Sequence, residues 1–116
     1  MEVKDNIITF KSLPEHYVSE RDGTKPNTVR QLSNDEIDRW DLAAMSAENN
    51  RRALWSGGNV INSICIVNSK TGAIFTRTLS DVTVVVLSPF TSAWVFSWIP
   101  VDNQGRELYT LRQLNE

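Results

Sequence analysis

Residues 6–10 open the chain with its first apolar cluster, and the branched and aromatic side chains of Ile7, Ile8, Thr9 and Phe10 predict a short strand there. Ser12-Leu13-Pro14-Glu15 then has the form of a helix start, with a serine to cap, a glutamate three residues on and a proline where the first turn tolerates it. Leu13 and Tyr17, four apart, mark the inner face of that helix, and Gly23 offers its stop. A second capping box, Ser33 with Glu36, precedes Ile37, Trp40, Ala44 and Ala47 at helical spacing, which predicts a second helix closed before Gly57-Gly58.

From Val60 the period changes from helical to alternating. VINSICIV, a turn over residues 68–72 and AIFTRTL read as a hairpin. Val82-Thr83-Val84-Val85-Val86-Leu87 is β-branched enough to predict a separate strand buried on both faces, ended by Ser88-Pro89. Trp94, Phe96 and Trp98 alternate with Val95, Ser97 and Ile99, which gives one more strand an aromatic face. After a turn at residues 102–105, residues 106–114 suit either a returning strand or a helix. Two N-terminal helices and about five to six strands predict an α+β fold: one domain spanning residues 1–116, built on a small, strongly curved or closed β-sheet with the helices at one side.

Composition narrows the chemistry. Twelve Lys and Arg against fourteen Asp and Glu give a net charge of -2, so a nucleic-acid site must be a local patch, not a broadly basic surface. Cys65 is the only cysteine and lies in an apolar run, which excludes an intrachain disulfide and a thiolate zinc site. His16 is the only histidine, on a short helix with no nucleophile pattern beside it, and reads as a partly exposed surface residue. No metal and no cofactor are expected. The N-terminus lacks the pattern of a signal peptide and no run is long and apolar enough to span a membrane, so a cytoplasmic location without a membrane partner is expected.

The densest chemistry lies in DGTKPNTVR, residues 22–30. Gly23 takes backbone conformations closed to other residues, and Pro26 fixes its own dihedral while holding Lys25 extended. An extended run from Lys25 to Arg30 places Lys25, Asn27 and Val29 on one face and Pro26, Thr28 and Arg30 on the other. Arg21, Lys25 and Arg30 form the densest basic cluster of an acidic chain. Lysine offers phosphate a mobile point charge, and arginine offers a planar fork that also stacks on a base. In the plainest structural reading, Arg30 instead pairs with Asp22 or Asp81 and fixes the loop to the barrel.

Gly23-x-Lys25-x-x-Thr28-x-Arg30 resembles the Gly-x-Lys-x-x-(Glu or Thr)-x-Arg signature of ASCH domains, a branch of the PUA-like superfamily. The layout is similar too, since that signature follows a first strand and a short helix and precedes a small β-barrel. The resemblance implies a PUA-like barrel and a cleft that binds RNA or a nucleotide-like ligand, with Arg21, Gly23, Lys25, Asn27, Thr28 and Arg30 as its ligand-binding residues. Some small members that look like this are amidohydrolases of acetylated cytidine, with a lysine, a threonine three residues on and a distant acid. Lys25 and Thr28 match that spacing, and Asp81 stands about where the acid falls, though an aspartate is one methylene shorter than the family's glutamate. A third reading is a small protein-interaction module or regulator, which a net acidic surface suits. Trp94 and Trp98 read as core before they read as base-stacking platforms.

Overall fold

The computed structural model describes residues 2–31, 61–89, 91–110 and 113. The second helix expected from Ser33 onward, with Trp40 and Trp55, lies outside these residues. Among them the fold is α+β, one helix with a mixed sheet of six strands in the order β1-β2-β4-β5-β6-β3. The strands are β1 Glu2–Lys4, β2 Ile7–Ser12, β3 Asn27–Gln31, β4 Ser63–Asn68, β5 Ile74–Ser88 and β6 Thr91–Trp98, and α1 is Pro14–Arg21. The hydrogen-bonded ladder is open, with β1 and β3 at its edges.

β1 is a strand that the polar stretch Glu2 to Lys4 did not predict. It pairs antiparallel with β2 through the two-residue turn Asp5-Asn6, whose φ values of 52° and 67° are the left-handed pair that tight hairpins require. β2 runs parallel to β4, Ile8 beside Ile64 and Phe10 beside Ile66, and all four side chains are buried.

The two predicted strands after residue 73 are one 15-residue strand. Its first part pairs with β4 and its second with β6, and the register slips between Leu79 and Asp81, where an irregularity turns the strand from one half of the sheet into the other. The expectation that Val82 to Leu87 is buried on both faces is wrong: Val82 is buried, but Val86 is 72% exposed and Val85 and Leu87 are exposed as well. Beyond the bend this stretch is an arm paired only with β6 up to its tip, so its apolar run reflects strand propensity more than burial.

Sheet curvature follows from two distances. In a flat sheet, β2 and β6, three strand intervals apart, would be separated by about 14 Å. The rings of Phe10 and Phe96 have centroids 5.0 Å apart, so the sheet folds back and packs its two halves on each other. Trp94, Phe96 and Trp98 supply the β6 side of this core, as their alternation predicts, with Phe75 tilted against both Trp98 and Tyr17.

The first helix begins one step later than its capping signal suggests. Leu13 is the N-cap residue, Pro14 opens the helix and no side chain caps it. Leu13 is 55% exposed instead of lying on the inner face, which is carried by Tyr17 and Glu20. Gly23 follows the C-cap Asp22 with φ +81°, and a β-carbon there would meet the Pro100 ring carbon at 3.4 Å. At the chain's far end, Val101 and Glu107 form a lone bridge around a turn held by Asp102, and residues 106–110 extend neither a strand nor a helix.

Candidate ligand cleft

DGTKPNTVR is only partly a loop. The amide of Lys25 donates to the Ser19 carbonyl at 3.0 Å, and the amide of Trp98 donates to the Pro26 carbonyl at 3.1 Å, so both ends of the Lys25-Pro26 step are fixed. From Asn27 the chain is edge strand β3, with Thr28 opposite Phe96 and Arg30 opposite Trp94. Thr28 and Arg30 therefore share the inward face, as the alternation requires, and Thr28 is 4% exposed. Asn27 and Val29 take the other face.

Arg30 is the centre of this arrangement. Its Nε donates to Thr28 Oγ1 at 3.0 Å, one terminal nitrogen to the Lys11 carbonyl at 2.8 Å and the other to Ser12 Oγ at 2.8 Å. The guanidinium also lies 4.9 Å from the Phe10 ring centroid. These contacts join edge strand β3 to the end of β2, four places away along the ladder, across the open side of the folded sheet. Ser12, read as a helix cap, is used here instead. Burial lowers the pKa of Arg30 from its ordinary value and the negative charge of Glu20 opposes this. Arginine's ordinary value lies so far above neutrality that the side chain stays charged.

Neither Asp22 nor Asp81 is Arg30's partner. Asp22 pairs with Arg21 at 3.0 Å on the surface. Asp81 stands opposite Ser97, and Ser97 in turn opposite Asn27, so it belongs to the face of the sheet that Thr28 does not occupy. Asp81 Oδ2 accepts from Thr83 Oγ1 at 2.9 Å.

Between α1, the end of β2 and the start of β3 lies a cleft of about 260 Å³. Lys25, Thr28 and Arg30 line it, and Arg21, Gly23, Asn27 and Asp81 do not. Arg21 is held at the helix end, 5.8 Å from the Tyr17 ring centroid, and Gly23 acts through the turn it permits. The helix contributes His16 and Glu20, four residues apart and so one above the other on one face. An adjoining cleft of about 540 Å³ shares Lys11 and Arg30 with the first.

Glu20 is the residue that the sequence reading missed. It is 1% exposed, and its Oε1 is buried without a hydrogen-bond partner. Arg30 gives its hydrogen bonds to Thr28, Lys11 and Ser12, and among the described residues the one ion pair is Arg21 with Asp22. Lys25 thus shares the cleft with Glu20 without pairing to it. A signal was present in the sequence: Glu20 follows Tyr17 by three, which places an acid in an apolar slot of the helix's inner face.

Among the described residues, no group of three or more His, Cys, Asp or Glu is placed to hold a metal ion, and no helix is long and apolar enough to cross a membrane. Compared with protein-family models, curated proteins and solved structures, the chain matches none.

Proposed function

We propose that the cleft binds single-stranded RNA or a nucleotide-like ligand, and that the chain is an ASCH-like module of the PUA-like type. One observation carries this reading: Lys25, Thr28 and Arg30, three of the four fixed positions of the Gly-x-Lys-x-x-Thr-x-Arg pattern, line the same cleft. In this reading the folded sheet is a PUA-like barrel whose gap Arg30 spans. Lys25 is the mobile cation for a phosphate, because the side chain of Arg30 is already fixed by three protein acceptors. A polar cleft of this size takes one nucleotide unit, not a duplex.

The test is binding of a short single-stranded RNA at several salt concentrations. Lys25→Ala should weaken binding across sequences and reduce the salt slope by about one. An affinity and slope unchanged in that variant would move the site elsewhere.

A hydrolase reading is favoured by a second feature of the same cleft, where Lys25 and Thr28 lie with a carboxylate. That carboxylate is Glu20, and Asp81 is outside. In this reading the Lys25 amine takes the Thr28 hydroxyl proton as base, Oγ1 attacks the amide carbon of an acetylated cytidine, and the cytosine amine leaves with a proton. Water then releases acetate from the threonine ester. Thr28 Oγ1 accepts from Arg30, which leaves its own proton to give. Release of acetate from acetylcytidine, lost in Thr28→Val, is the expected result; no turnover above background removes the hydrolase reading and leaves the binding one.

A further inference from the structure

Glu20 Oε1 is buried and receives no hydrogen bond from a described residue. A buried carboxylate oxygen without a donor forfeits the hydrogen bonds it had in water, and the loss is larger for a charged group than for a neutral one. Its neighbours leave it so. Arg30 is close enough for the Glu20 charge to act on its ionisation, yet the fork is turned to Lys11, Ser12 and Thr28. Lys25 lines the same cleft and makes no ion pair with it.

The group that completes Glu20 has a definable chemistry. An ionised carboxylate only accepts, so its partner must be a donor. An anion is excluded by charge at that wall. A hard metal ion is disfavoured, because one carboxylate supplies too few oxygens and the positive charges of Arg30 and Lys25 face the same space. A neutral N–H group meets both conditions, and the pairing edge of a nucleobase is where a nucleotide carries one.

We infer that Glu20 receives an N–H donor from the base of the bound nucleotide and sets the specificity of the cleft. The ligand then has a direction: base edge toward Glu20 on α1, phosphate toward Lys25. This rests on the nucleotide-binding reading and adds to it the orientation and the residue that discriminates. Glu20 is a specificity residue because it touches the base, while Arg30 only positions the cleft walls.

The experiment measures binding of the four ribonucleoside monophosphates by calorimetry. The tightest is then compared with a counterpart whose pairing-edge N–H groups are removed or methylated; for AMP this is purine riboside monophosphate. The wild-type protein should bind the donor-free counterpart at least about tenfold more weakly, since a site built to hydrogen-bond a donor rejects its absence. Glu20→Gln, of nearly the same shape, should shrink that ratio to about threefold or less, because a neutral amide accepts less strongly than a carboxylate. The wild-type comparison stands even where the variant folds poorly. Binding of both members within twofold in the wild type overturns the inference and leaves nucleotide binding intact, whereas no binding by any nucleotide overturns both.

Discussion

Glu20 and Asp81 each hold one buried carboxylate oxygen without a hydrogen-bond partner, and they differ in everything around it. Asp81 stands at the bend of β5, its other oxygen taken by Thr83, on the sheet face away from Thr28. Glu20 is on α1, lines the cleft with Lys25, Thr28 and Arg30, and has no side-chain partner at hydrogen-bonding distance among the described residues. The difference separates two uses of a buried acid. Asp81 lies beside a strand irregularity with a local contact to Thr83, and Glu20 lines the cleft.

The strongest way to break this contrast is to remove what holds the cleft side together. Arg30→Ala takes away three hydrogen bonds, two of which join β3 to β2, and removes a positive charge on which Glu20 acts, and it should lower the unfolding free energy by about 2–4 kcal/mol in urea titration. A loss below about 0.5 kcal/mol would mean that β3 is held by its ladder with β6 alone. Gly23→Ala comes next. The left-handed backbone opposes a β-carbon, which would sit in ordinary contact with Pro100, and a loss of about 1–2 kcal/mol is expected, with Lys25 displaced and RNA affinity reduced alongside.

Asp81→Asn sharpens the contrast from the other side. It keeps the shape and an acceptor for Thr83, so stability should change by about 1 kcal/mol or less and nucleotide binding by less than a factor of about two. The smallest effect belongs to Arg21→Ala. Its ion pair with Asp22 is exposed, worth about 0.2–1 kcal/mol, and Arg21 lies outside the cleft, so thermal unfolding and ligand affinity should both stay near wild type. A large loss of RNA binding in Arg21→Ala would extend the binding surface past the helix end.

Local pattern made much of this legible. The alternation of Trp94, Phe96 and Trp98 placed the aromatic core face, Gly23 marked the helix stop, and the parity of Thr28 and Arg30 placed them together. What sequence separation alone did not show was which distant residues meet. Lys11 and Ser12 reach Arg30 only because the sheet folds back on itself, a tertiary effect with no local signal. The β5 arm misled because β-branched residues report strand propensity whether or not something covers them. Asp81 stands about where the resemblance puts its acid, while Glu20, five residues before Lys25, lies outside the Gly-x-Lys-x-x-Thr-x-Arg pattern.

The most direct test sets the two acids side by side. Glu20→Gln and Asp81→Asn each remove one negative charge with little change of shape, and each is titrated with the ribonucleoside monophosphate that the wild-type protein binds best. The expected result is a loss of about tenfold for Glu20→Gln, the difference between a charge-assisted and a neutral hydrogen bond, and less than about twofold for Asp81→Asn. Equal losses, or a larger loss in Asp81→Asn, would contradict the assignment of Glu20 as the acid of the cleft.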